Sequence, residues 1–555
     1  MHRLATLPGS GAEADAGAFV EQPPAPVLLL SSADTDLVAI DGLLAAEPEL
    51  LGCELRALNL AALAHPAVID HYLASTVQHA RLVVVRLLGG RGHWSYGLEA
   101  LQRWAGTAHP QGGQRCLVVL AGTPDDDQAL AELGTTPAEL AIGLAACLRV
   151  GGPANLRLAL TCLRQLLHGR QPDPPKPQPL ADPLPHDWRE EHGPRVGLIV
   201  YRALLQAGDL GLMEACIKAL RAAGLAPRAL WVSGLRDAGV QRGVADLLER
   251  EQVEAVLCCT SFASVQFAEA GLGAPLWERL GVPVLQVLSS GRSRTAWADS
   301  SIGLGPTELG LQVALPELDG RITTRIGAFK EADAASERLA SALPRYVPDG
   351  ERLAWIAQLC ANWIRLRRTP ADGRRVGLVL ANYPNRNSRV ANGVGLDTPA
   401  STALMLGWLQ QAGYATGGDL PADGQALIER LLAGRSNDPE SGHRPPLDHL
   451  PLSAYQRWYR ELPHDGRERL EAVWGPPEGD QGLERGPDGM PGFPIRGLRF
   501  SAVAVLLQPE RGYDRDPNLN YHSPDLPPTH AYLAQYLWLR EQFNAHVVVH
   551  VGKHR

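Results

Sequence analysis

The residues best suited to chemistry gather in the last third of the chain. His546, His550 and His554 recur at every fourth position near its end. An imidazole can bind a first-row metal or, when neutral, accept a proton near physiological pH. On a regular strand the three would face one side with neighbours ~13 Å apart, so they share no ion unless the chain turns after Gly552. Upstream, Gln508–Asp525 holds Glu510, Arg511, Tyr513, Asp514, Arg515, Asp516, Tyr521, His522 and Asp525, and His530 follows. A second polar run, Asn382–Asp397, holds four asparagines and two arginines, among them Asn382, Arg386, Arg389 and Asn392, with Tyr383 beside them. It leads into Thr398 and Pro399, which read as the N-cap and first turn of a helix. Such a loop can grip carboxylates or amides.

These loops need a scaffold that brings them together. Phe500–Leu507 reads as a strand, Tyr532–Phe543 as a helix, and Ala545–Val551 as a second strand. The polar residues fall where strands end, which is where open α/β sheets bind ligands. The same alternation runs upstream through apolar runs at Pro26–Ser31, Arg81–Leu88, Arg115–Leu120, Arg195–Tyr201, Val253–Cys259, Val282–Leu288 and Arg375–Leu380. The fold class is therefore α/β, multidomain, built from parallel-sheet units with helical and Gly/Pro-rich insertions. Residues 171–194 carry eight prolines and read as a connector. The expected domains are 1–170, an α/β unit; 195–370, a second one; and 371–555, the start of a ligand-binding domain. Glu331–Leu343 reads as a helix, Gln425–Val473 as charged and helical, and Gly486–Gly497 as a Gly/Pro-rich excursion.

Hydroxyls and arginines at 260–263 and 289–297 suit an anionic ligand, although helix capping explains serines and threonines equally well. Glu317 and Asp319 suit a cation or, more simply, a charged turn.

Composition narrows the classes. The net charge is −8, which argues against a general nucleic-acid binder. Eight cysteines stand without a CxxC pair, as buried free thiols in a reducing compartment do. No apolar run is long enough to span a membrane and no signal peptide is apparent, so a cytoplasmic location is expected. No GxxxxGK[ST] motif offers an ATP site, and Gly89–Gly92 does not match a dinucleotide fingerprint.

Longer motifs carry a resemblance. They include Arg86–Gly90, Trp94–Gly97, Gly151–Asn155, Gly303–Pro306, Leu315–Gly320, Ala381–Asn385, Gly393–Pro399, Gln508–Tyr513, Tyr521–His530 and His546–His554. With these the chain resembles the large subunits of aerobic cobaltochelatase, the CobN type, grouped with magnesium chelatase large subunits. The resemblance implies Co2+ as a substrate, inserted into the corrin hydrogenobyrinic acid a,c-diamide. It implies ATP hydrolysis by an AAA+ subunit and an integrin-like subunit, not by this chain. On that reading His550 and His554 handle metal and protons, and Glu510 joins them in catalysis. Asn382, Tyr383, Arg386, Arg389, Asn392, Arg511, Tyr513, Arg515, Tyr521 and His522 hold the ring, the arginines on its carboxylates and the tyrosines on its face. The family pattern runs on past the residues matching His550–His554. The chain is therefore expected to be an N-terminal portion, inactive alone and completed by further residues or a separate chain. The alternatives are a magnesium chelatase subunit acting on protoporphyrin IX and a non-catalytic tetrapyrrole-binding or scaffold module.

Overall fold

Val27–Ser31 is buried at all five positions, as a strand covered on both faces must be. It is β1 of a parallel sheet with β2 (Leu55–Asn59), β3 (Leu82–Leu87) and β4 (Cys116–Ala121), in the order β2-β1-β3-β4. Alternate residues face opposite ways. Val27, Leu29, Val84 and Val118 enter one core and Leu28, Leu30, Val83 and Val119 the other. This computed structural model describes residues 19–268, 271–332, 335–382, 387–393, 395–512 and 526–552. The chain divides into two compact units, Met1–Ile364 and Arg365–Arg555.

The first unit holds a second sheet. Its strands are β5 (Leu184–His186), β6 (Arg195–Tyr201), β7 (Ala226–Val232), β8 (Ala255–Cys258), β11 (Val284–Ser290), β12 (Ile322–Glu331) and β15 (Arg345–Pro348), with a hairpin of β9 (Gln266–Ala268) and β10 (Gly271–Gly273) beyond β8. The order is β15-β12-β11-β8-β6-β7-β5. The five inner strands are parallel and the two outer ones antiparallel. Residues 171–182 form no regular element. They run along the helix Gly152–Leu167, where Asn155 bonds both the amide (2.7 Å) and the carbonyl (2.9 Å) of Gln178.

Two expectations change here. Where Glu331–Leu343 reads as a helix, residues 335–342 form a hairpin of β13 (Ala335–Ser336) and β14 (Ser341–Ala342). Leu339 and Leu343 enter the core of the first sheet, so tertiary burial overrides the helical spacing. Asp319 is no cation site. Its carboxylate accepts from the Ser264 amide (2.8 Å) and hydroxyl (2.9 Å), the Val265 amide (2.9 Å), the Trp277 indole (3.2 Å) and Arg321 (2.6 Å). The strand-end polar groups nearby are likewise occupied. Gln312 bonds both backbone groups of Ser289, at 2.7 Å each, and Gln286 reaches the Thr260 carbonyl at 3.0 Å.

The second unit centres on β16 (Val376–Leu380). A small antiparallel sheet has the order β17-β19-β18, from β17 (Asp448–Pro451), β18 (Glu484–Arg485) and β19 (Pro491–Ile495). It occupies segments that read as helix and as Gly/Pro-rich excursion. The main sheet adds β20 (Gly497–Phe500), β21 (Val503–Leu507) and β22 (Val547–Val551), in the order β20-β21-β16-β22. Val376, Leu378 and Leu380 pack with Leu406, Leu427 and Leu431 of the helices Thr398–Gln411 and Gly424–Ala433. On the other face Val379 and Leu506 meet Leu537, Trp538 and Leu539 of the helix His530–Glu541, with Leu450 and Phe493. Gly377 makes room there: a Cβ on it would stand 2.7 Å from Leu539.

All eight cysteines are free thiols, six of them buried. Among the described residues no helix is long and apolar enough to cross a membrane.

A candidate functional site at one sheet edge

β16 runs parallel to β21 on one side and β22 on the other, with Leu380 level with both Leu507 and Val551. The loops that leave at Ala381, Gln508 and Gly552 therefore emerge side by side. This rim is where an open parallel sheet takes a ligand.

Asn382 opens the first loop. It is 3% exposed, and among the described residues neither end of its amide has a hydrogen-bond partner. Leaving a buried amide unmet costs free energy, about 1–3 kcal/mol per group, which a ligand can recover. The loop returns through the turn Asn387–Arg389 and the exposed Asn392, and the Ala391 amide bonds the Ala381 carbonyl at 2.8 Å. The N-cap of the next helix is Asp397, not Thr398: its carboxylate accepts from the Ala400 amide at 3.0 Å. Thr398 is the first helical residue, fully buried, its hydroxyl without a partner among the described residues.

Ser436–Asp438 ties two of the loops down, a role not apparent from sequence. Ser436 donates to the Asn387 side chain (2.7 Å), the Asn387 amide donates to Asp438 (3.0 Å), and Asn437 donates to the Gln508 carbonyl (2.7 Å).

The loop after β21 carries Gln508, Glu510 and Arg511. Gln508 donates to the hydroxyls of Tyr532 (3.0 Å) and Tyr536 (3.4 Å). The Tyr536 hydroxyl lies 3.3 Å from His550 Nε2, and the rings stack at 5.7 Å with 13° between planes. Arg511 lies over the Tyr532 ring at 5.2 Å. Glu510 is half-buried at the same rim, its carbonyl accepting from Thr529 at 3.0 Å. His550 is exposed on the strand, yet the protein around its ring lowers its basicity below the usual imidazole range. Burial raises the Tyr536 phenol, which stays protonated. Tyr532 and Tyr536 were legible only as apolar positions of a helix. Their spacing of four also places both hydroxyls on one face.

Two other histidines leave the site. His530 is fully buried, with Nδ1 on the Tyr455 hydroxyl and Nε2 on the Gly475 carbonyl, each at 2.9 Å. The carbonyl requires a donating Nε2, so Nδ1 accepts, and both nitrogens are spent on structure. His546 precedes β22 at the opposite sheet edge, its Nδ1 accepting from the Arg375 amide at 3.1 Å. It is ~13 Å along the strand from His550 and shares no ion with it.

Tyr383, Arg386, Tyr513, Asp514, Arg515, Asp516, Tyr521, His522, Asp525 and His554 lie outside the described residues. Among the described residues no three His, Cys, Asp or Glu side chains gather as a metal cage. The rim therefore combines one imidazole at β22 with amides, phenols and a guanidinium.

Gly512 lies against Trp474. Its φ is +101°, and a Cβ there would overlap the Trp474 ring, which is fixed by a 3.0 Å bond to the Pro527 carbonyl. Gly512→Ala is expected to cost about 1–3 kcal/mol, measurable as a lowered denaturation midpoint.

The family model described as CobN/Magnesium Chelatase matches residues 145–555. The chain belongs to this family. Over its whole length it is 38% identical to the aerobic cobaltochelatase subunit CobN of Pseudomonas aeruginosa, covering 44% of that protein. It is 37% identical to the Sinorhizobium CobN, again over 44% of that relative. A magnesium-chelatase subunit of Rhodobacter capsulatus is 26% identical over 65% of this chain and 30% of its own length. The catalytic subunit of cobaltochelatase from Mycobacterium tuberculosis superposes with a TM-score of 0.64 at 33% identity, over 96% of this chain and 43% of that one. The chain spans less than half the length of these CobN relatives. The CobN/magnesium chelatase match includes the whole second unit and its rim.

Proposed function

We propose that this chain is part of a cobaltochelatase large subunit and that the rim of its second unit holds a corrin while Co2+ enters the ring. The observation that carries the reading is the level ending of β21, β16 and β22, which sets the unpartnered Asn382 amide and His550 at one edge. CobN relatives at 37–38% identity favour cobalt and a corrin over magnesium and a porphyrin. The proposed substrate is hydrogenobyrinic acid a,c-diamide. Its amides and carboxylates suit Asn382 and Arg511, and Asn392, Tyr383, Arg386, Arg389, Tyr513, Arg515, Tyr521 and His522 are proposed to complete the hold. ATP is hydrolysed by AAA+ and integrin-like partners, in a reducing cytoplasm that suits eight free thiols.

The chemistry asks for a base as ring N–H protons leave and the metal enters. His550, kept neutral by partial burial, can take a proton or present the ion. With Nε2–H donating to the Tyr536 hydroxyl, Nδ1 is the ring nitrogen left to accept a proton or bind the ion. Glu510 and His554 are proposed beside it. For this chain alone, under half its relatives' length, the expected activity is binding without insertion.

Absorbance titration with the corrin and with protoporphyrin tests the reading. Binding of the corrin alone is expected. Asn382→Ala should weaken it about tenfold, or 1.4 kcal/mol, without lowering the melting temperature, because among the described residues no side-chain hydrogen bond is lost and a buried unmet amide is removed. Equal binding of both rings, or none of either, would overturn the proposal.

The pH profile of insertion by the assembled enzyme follows from His550. A lowered imidazole stays neutral to lower pH, so activity should hold through neutrality and fall only below the ordinary value of about 6.5. His550→Gln should remove that acid limb.

A further inference from the structure

Buried polar atoms without a partner are rare in folded chains, so the place where they collect is telling. Among the described residues of the second unit, three neutral side chains hold such atoms: Asn382, Thr398 and Gln535. Asn382 stands just past the end of β16. The Thr398 hydroxyl lies against Gly393 of the same loop, 2.6 Å from where a Cβ would stand. Gln535 comes from the helix His530–Glu541, on the opposite face of the sheet from the helix that Thr398 begins. Its side chain nevertheless reaches the rim. Nε2 donates to the carbonyl of Leu507, the last residue of β21, at 2.9 Å.

The amide of Gln535 is already oriented by that bond. A carbonyl accepts only from a donor, so Nε2 is spent on Leu507 and Oε1 is left as an acceptor, unmet among the described residues. The residue is 1% exposed. A group that meets Oε1 must therefore carry an N–H or O–H, and it must be neutral to enter a buried niche. An ionised carboxylate fails on both counts. It has no proton to give, and burying its charge against an acceptor is costly. Asn382 adds to the selection. Both ends of its amide are unmet among the described residues, so a primary amide can pair with it in both directions, whereas a carboxylate leaves Oδ1 unmet. Arg511, in the loop after β21, has the opposite preference, because a guanidinium suits a carboxylate.

We infer that Gln535 is a specificity-determining residue of the rim: its Oε1 accepts a hydrogen bond from a primary amide side chain of the bound ring and turns away a carboxylate in the same place. The inference rests on the corrin reading above and adds to it a residue that tells an amidated ring edge from an acidic one.

Absorbance titrations of the full chain test it, with hydrogenobyrinic acid a,c-diamide and with the same corrin carrying carboxylates at a and c. The chain is expected to bind the diamide at least about tenfold more tightly than the diacid. Gln535→Leu keeps a side chain of similar size without the acceptor. It should weaken the diamide and leave the diacid unchanged, bringing the two within about threefold. Gln535→Met removes the same oxygen and serves as the second variant if the leucine variant melts early. Equal binding of both corrins by the unaltered chain would overturn the inference and leave the corrin reading standing. So would variants that weaken both corrins equally, the result if Gln535 only braces the Leu507 carbonyl or meets an internal water. Binding of neither corrin would overturn both.

Discussion

In an assembled chelatase, His550→Ala is expected to lower cobalt insertion by about a hundredfold or more while changing corrin affinity by less than about threefold. The asymmetry follows from the site. On the proposed reading, amides and a guanidinium from the loops after β16 and β21 hold the ring's periphery. The imidazole comes from β22 and is the group in this set that can exchange a proton near neutral pH. Tyr536→Phe should keep the stacked ring but release Nε2, giving a smaller loss of rate and an unchanged KM. A His550→Ala variant that inserts cobalt at the normal rate would remove this residue from the mechanism. A parallel collapse of ring binding would instead make it a binding group.

Asp319→Ala is expected to destabilise the first unit by about 3–5 kcal/mol, measured by urea denaturation. Both partners of the Asp319–Arg321 pair have fully buried side chains. Arg321 also reaches the Thr260 carbonyl and Gln286, each at 3.1 Å, and lies over the Trp277 ring. Removing the carboxylate leaves a buried guanidinium without its counter-charge and the Ser264 and Val265 amides without an acceptor. The double change Asp319→Leu with Arg321→Met removes both charges and should lose less than Asp319→Ala alone, a non-additivity diagnostic of a buried pair.

Much of the rim was readable from residue order alone. Strands announced themselves as apolar runs, and polar residues collected after them, so Asn382, Glu510, Arg511 and His550 were found where the sheet ends. What sequence could not supply was long-range pairing. His530 looked like a second imidazole for the crevice, but Tyr455 and Gly475, far away in sequence, claim both its nitrogens. β19 contains Pro491 and Pro494, which argue against a central strand. Phe493 and Ile495 are nevertheless almost wholly buried, and that burial decides the matter. Ser436–Asp438 lies within Gln425–Val473, which reads as charged and helical, and its clamp on two loops exists only once the fold has formed.

The hairpin at 335–342 has a consequence for how the first unit comes apart. Arg56 and the Ala57 amide donate to the carbonyls of Arg338 (2.9 Å) and Leu339 (3.1 Å), Gln22 reaches Ala340 (2.8 Å), and Ser336 bonds Asp41. Lys330 at the end of β12 pairs with Asp34. A staple thus runs from the second sheet back onto the first, across a sequence distance of nearly three hundred residues. A protease nick within the proline-rich stretch 171–194 would leave the two fragments clasped, co-eluting until denaturant opened them.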